Sequence, residues 1–122
     1  MTQWIFKILR SSELDAAKAN TAFFGSPADT QDGFIHFSTI EQLGGTVGKH
    51  FTGVDICHLM VFDAKSFSAD LLKWEPSRGG QLFPHLYGPL DISLAVENWT
   101  IERESSGQFN LSAAQQWISE ND

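Results

Sequence analysis

The chain is expected to fold as a single α+β domain, a strongly bent or split, mostly antiparallel sheet carrying two or three short helices. Three observations predict this. The strand-like stretches are short and clustered, not alternated regularly with long helices, which argues against a doubly wound sheet. At 122 residues and 42% hydrophobic side chains, the chain can bury one core without disulfides or a structural metal. No repeat, low-complexity tract or linker divides it, so residues 1–122 read as one domain, with a core over about 3–104 and a C-terminal helix or tail over about 108–122.

The elements follow from periodicity and punctuation. From Gln3 to Leu9 apolar residues occupy both alternating faces, the pattern of a mostly buried strand. Ser12 with Asp15 has capping-box spacing and opens a short helix that runs to Asn20. Thr21 to Phe24 reads as a brief strand, and Gly25 to Gly33 as a polar connection of turn formers. A strand follows over Phe34–Ser38. Thr39 and Gln42 then cap a second helix whose Ile40, Leu43, Val47 and Phe51 share a face, and whose Gly44, Gly45 and Gly48 require tight packing or a close approach to a ligand. Ile56–Phe62 is a continuous apolar run and reads as the central strand, with Leu71–Trp74 beside it. Trp74–Leu90 holds three prolines and three glycines among large apolar residues and reads as an ordered loop. A helical turn over Asp91–Leu94, a strand over Ala95–Glu104 and a short amphipathic helix from Leu111 complete the chain.

Fifteen acidic against eight basic residues give a net charge of −7, with the basic residues scattered, which argues against a nucleic-acid surface and for a small ligand. A single cysteine, Cys57, excludes an intramolecular disulfide. The N-terminal residues lack a signal-peptide pattern and no apolar run reaches bilayer length, so a cytoplasmic protein without membrane contact is expected. The histidines and Cys57 lack metal-ligand spacing, and no metal is predicted. Ser38 and Ser77 lie outside any nucleophile elbow, and the acidic pair Asp29 and Asp32 reads as solvated surface. Oligomeric state leaves no mark in the sequence.

Two clusters carry the candidate chemistry. In Asp32–Thr39, strand alternation puts Phe34, His36 and Ser38 on one face, with Thr39 opening a helix whose amides could receive an anion. His36 is either a ligand contact or a core histidine bonded to backbone carbonyls. In the Trp74–Leu90 loop, Arg78 between Ser77 and two glycines is either an anion clamp or a staple to Glu75. His85 could serve as acid, base or loop anchor, and Tyr87 as an aromatic face or a core tyrosine.

Trp4–Leu9, Asp32–Thr39, Trp74–Gly80 and Phe83–Leu90 together resemble a small, mostly bacterial family, domain of unknown function nine-five-two, over roughly Trp4–Ile101. The resemblance implies a fold related to ADP-ribosyltransferases. Phe34–Thr39 is also similar to the His-Leu-Ser strand of RNA 2′-phosphotransferases, which use NAD. It further implies that His36 contacts the ribose of an NAD-like ligand, that Ser38 and Thr39 flank its nicotinamide or diphosphate, and that Arg78, His85 and Tyr87 close the pocket. Glu75 is the candidate carboxylate for a cationic sugar, with Glu75 or His85 assisting chemistry and Ser77 among the binding residues. The expected activity is NAD-dependent ADP-ribosyl or related transfer or glycohydrolysis; the alternative is a non-catalytic module for a nucleotide-like or other small anionic ligand.

Overall fold

Alternation in two very apolar strands decides the architecture. β1 (Trp4–Leu9) and β3 (Ile56–Asp63) pair antiparallel in register Ile5 to Phe62, and β6 (Glu97–Glu102) pairs antiparallel on the other side of β3. This sheet is ordered β1-β3-β6 in a computed structural model describing residues 3–121; β1 and β3 are buried on both faces, while β6 buries Ile101 and leaves most of its residues exposed. Phe6, Ile8, Leu59 and Val61 face a core shared with α3 (Leu43–His50) and α4 (Ser112–Asn121), while Ile5, Leu9, Met60 and Phe62 face one shared with a second sheet and with α1 (Ser11–Asn20). Burial on both faces explains why β3 lacks polar alternation.

The second sheet is ordered β2-β5-β4, from β2 (Ile35–His36), β5 (Leu82–Leu86) and β4 (Leu72–Pro76), all antiparallel. Ile35, Leu72 and Leu86 lie in register and enter the core, so the neighbouring register positions His36, Lys73 and His85 share the opposite face. Edge strand β1 of the first sheet meets the end of β2 through a single bridge: Phe6 N–H donates to Ser38 O (2.8 Å) and Ser38 N–H to Phe6 O (2.9 Å). The result is an α+β fold with a split antiparallel sheet. No helix among the described residues is long and apolar enough to cross a membrane.

Several expectations need correction. Leu82–Leu86 belongs to the central strand of the second sheet, although the prolines argued for a loop. Pro84 is accommodated because the amide it lacks would have pointed at the end of β2: Phe37 N–H donates to Pro84 O (2.9 Å), no reciprocal bond can form, and β2 stops at His36. β4 pairs with β5, not with β3. Pro27–Asp32 is a helix, α2, making four α-helices among the described residues; Ser26 accepts from Asp29 N–H (3.1 Å), Asp29 returns the capping box to Ser26 N–H (2.9 Å), and Pro27 occupies the first turn. α1 is capped two residues earlier than expected, at Arg10 instead of Ser12, with Glu13 accepting from Arg10 N–H (2.8 Å). Thr21–Phe24 contributes only a bridge from Phe23 to Leu90.

Candidate functional site

A cleft of about 460 Å³ opens where β1 and β2 meet. Its floor is Phe6, Lys7 and Ile8; the starts of α1 and α2 form one wall, His36 and Ser38 another, and Thr46, His50 and Phe51 of the α3 region a third. Apolar walls with a few convergent polar groups are the usual make-up of a small-molecule site.

Its centre is an ion pair that the sequence reading did not anticipate. Lys7 (6% exposed) donates from Nζ to Asp29 Oδ2 (3.0 Å) and to His36 O (2.8 Å), and Asp29 (3% exposed) accepts from His36 Nδ1 (2.6 Å) and His36 N–H (3.1 Å). Asp29 is therefore buried and paired, not solvated surface. Burial by itself would raise its carboxyl, but the bonds from His36, Lys7 and Ser26 outweigh that and hold it well below the ordinary carboxylate range. Burial lowers the Lys7 ammonium, with Asp29 opposing the shift. His36 Nε2 lies 2.9 Å from Asp32 Oδ2, so both ring nitrogens face carboxylates of α2. His36 is thus neither bonded to carbonyls through its ring nor free: its backbone and side chain are both fixed to α2.

A second cluster lies on the same sheet face. Glu75 Oε1 accepts from Tyr87 Oη (2.6 Å) and His85 Nδ1 (2.9 Å), and Phe34 stacks on the His85 ring at 4.0 Å. The Tyr87 and His85 bonds hold the Glu75 carboxyl low. Burial lowers the His85 imidazole, and the bond to Glu75 raises the Tyr87 phenol. With Nδ1 bound to Glu75, the buried His85 Nε2 has no hydrogen-bond partner among the described residues. His36 and His85 are cross-strand neighbours, ring centroids 5.5 Å apart, so the two clusters touch.

Arg78 does not staple Glu75. Its guanidinium lies 5.0 Å from the Phe83 ring centroid and reaches Thr46 Oγ1 (3.4 Å) and Gln42 O (3.5 Å), and among the described residues it is in no ion pair. It rests against Gly45, where a Cβ would sit 2.9 Å from Nη2, so this helical glycine makes room for a side chain. Thr46 Oγ1 lies 2.7 Å from Ser38 Oγ, which links Arg78 to the cleft wall that also carries His36. Of the expected site residues, His36 and Ser38 line the cleft, whereas Thr39, Glu75, Ser77, Arg78, His85 and Tyr87 do not: the Thr39 amide donates to Gln42 Oε1 (3.0 Å), exposed Ser77 closes a turn with Gln81, and the other four lie beside the cleft instead of closing it.

Sequence reasoning missed Lys7, Arg10, Glu13, Asp29, Asp32, Thr46 and His50 as parts of the site. Only the Ser26–Pro27–Asp29 helix start was open to detection. Arg10 donates from Nη2 to His50 O (2.7 Å), stacks on Phe51 and lies 3.6 Å from Glu13. The Lys7 to Asp29 contact spans 22 residues and leaves no local signature.

Comparison with known proteins places these features in a family. The crystal structure of protein CC0527 from Caulobacter crescentus superimposes with a TM-score of 0.85 at 42% identity, covering 91% of this chain and 96% of that one. The solution NMR structure of CC0527 gives a TM-score of 0.79 at 41% identity, covering 91% and 95%. No curated protein matches. The model of the family described as "Protein of unknown function (DUF952)" matches residues 8–98, three quarters of the chain, and the chain belongs to that family.

Proposed function

We propose that the cleft between β1 and β2 binds a nucleotide-like ligand with an anionic group, NAD and ADP-ribose being the first representatives to test. The observation that carries this reading is His36 on the cleft wall, immobilised by a buried ion pair, opposite apolar surface from Phe6, Ile8, Pro27 and Phe51. A flat base or pyridine ring fits the apolar walls, and sugar hydroxyls fit the His36, Ser38 and Thr46 side. Ligand that binds only the folded state stabilises it by about 2.7 kcal/mol at a hundred times its Kd. A thermal-shift series with NAD, ADP-ribose and adenosine should raise the melting temperature of the wild type and do so less for His36→Ala. Flat curves for every ligand would overturn the reading.

A second reading, NAD-dependent glycosyl transfer or glycohydrolysis, is favoured by Glu75. Tyr87 and His85 both bond to Oε1, which leaves Oε2 without a bonding partner among the described residues, on a half-buried carboxylate of the sheet face that carries His36. In such a reaction the bond from the ribose carbon to the nicotinamide nitrogen breaks, its electron pair leaves with nicotinamide, and a carboxylate stabilises the sugar cation until an acceptor or water attacks. Nicotinamide release by the wild type that vanishes in Glu75→Gln would support this reading; absence of release alongside binding leaves the module that only binds.

A further inference from the structure

The α3 end of the cleft has a local charge opposite in sign to that of the whole chain. Arg78 is half-buried, yet only its Nη2 bonds to protein, at 3.4 and 3.5 Å, the long limit for a hydrogen bond, and no carboxylate pairs with it among the described residues. Arg78 borders the cleft through Thr46 without lining it, and His50, one turn of α3 beyond Thr46, lines the cleft with its ring centroid 6.4 Å from that of His36. The charges bearing on His50 are Lys49 on α3, His36 on β2, Arg78 and Lys7 on β1, all basic, and Arg10 donates to its carbonyl. The two carboxylates that line the cleft are already engaged, Glu13 by Arg10 and Asp29 by Lys7 and His36. In a chain of net charge −7, a half-buried guanidinium outside any ion pair, beside a cleft wall of basic groups, offers an anion charge-assisted contacts that the described residues leave unfilled.

We infer that Arg78 and His50 form a phosphate-binding subsite at the α3 end of the cleft, with Thr46 and Gly45 as positioning residues for the guanidinium. Thr46 Oγ1 donates to Gln42 O (3.2 Å) and accepts from Arg78, so it aims the fork instead of spending its own proton on a ligand. Gly45 supplies the clearance and Phe83 the stacking surface. A guanidinium with unfilled donors, flanked by an imidazole, suits a tetrahedral oxyanion, which it can grip through two parallel N–H bonds. Burial and the surrounding basic groups lower the His50 imidazole, and a bound phosphate reverses the second of these causes.

The inference rests on the reading that the cleft takes a nucleotide-like ligand, and the test separates the two. Calorimetric titration compares adenosine with adenosine 5′-monophosphate on wild type, Arg78→Gln and His50→Gln, and NMR follows the His50 ring during titration with inorganic phosphate alone. Charge-assisted contacts predict that the phosphate tightens wild-type binding about ten- to hundredfold over adenosine. That ratio should fall toward unity in both variants. A wild-type ratio near one, or a ratio unchanged in both variants, overturns the subsite while leaving the cleft reading intact. If neither nucleoside nor nucleotide binds, the cleft reading fails and the His50 signals decide the subsite: an upward shift of the imidazole titration in phosphate supports a free-phosphate site, and an unmoved titration overturns it.

Discussion

Asp29→Asn removes the acceptor on which four donors converge: Lys7 Nζ, His36 Nδ1, His36 N–H and Ser26 N–H. An asparagine keeps the shape but not the charge, and strands an ammonium that is 6% exposed. Breaking a buried pair by neutralising one member costs about 3–5 kcal/mol, because the remaining ion keeps its desolvation penalty. For a domain of this size that corresponds to a drop in Tm of about 10–20 °C. Urea and thermal unfolding of wild type, Asp29→Asn and the double variant with Lys7→Met measure it. The double variant should recover part of the loss, since an apolar residue in place of the stranded ammonium abolishes that penalty. The pH dependence has a defined sign. Asp29 is depressed below its ordinary 3.8, so its contribution is fully present above that value and is lost as the pH falls through the depressed one. The stability gap between wild type and Asp29→Asn should therefore be constant from neutrality to about pH 5 and shrink in stronger acid. A loss under about 1 kcal/mol, or a gap that widens in acid, would refute the argument.

Three further outcomes follow from the same geometry. Gly45→Ala gains helix propensity, about 1 kcal/mol, but its Cβ would sit 2.9 Å from the mobile end of Arg78, so stability should change little while nucleotide affinity falls; calorimetry paired with thermal unfolding checks this. Tyr87 is the only tyrosine and its bond to Glu75 raises its phenol, so Glu75→Gln should move the tyrosine titration, followed by ultraviolet difference absorbance, to lower pH. Burial pushes the Cys57 thiol up to about 12, so alkylation of the folded protein near neutral pH should be far slower than that of the urea-unfolded chain, as mass spectrometry can count.

What the sequence made legible depended on whether the cause was local. β3 was readable because burial on both faces leaves an unbroken apolar run, and the helix after Thr39 because its Thr39 and Gln42 cap lies within one turn. β5 was not, because proline is ordinarily excluded from a central strand, and only the early end of β2 frees Pro84 from needing an amide. α2 was hidden by its polarity: Pro-Ala-Asp-Thr-Gln-Asp has no apolar face, and its stability comes from a capping box and from an aspartate paired with a distant strand. Among the site residues, His36 and Ser38 follow from alternation on a strand, and Glu75, His85 and Tyr87 share a register face. The choice between packing and ligand for the α3 glycines was settled at Gly45 by a contact to Arg78, 33 positions away in sequence (78 − 45), which no local pattern encodes.

The two-residue length of β2 also bears on solubility. A sheet edge recruits a strand from another molecule in proportion to the run of unpaired amides it displays, and this edge displays almost none. At the opposite border, β4 carries Lys73 and Glu75 and ends in Pro76, three devices that discourage intermolecular pairing. Leu71, just before β4, and Leu82, at the start of β5, are exposed, so the same sheet without such borders would be a nucleus for cross-molecular β-assembly. The proline that cuts β2 short thereby helps to protect the concentrated protein from such assembly.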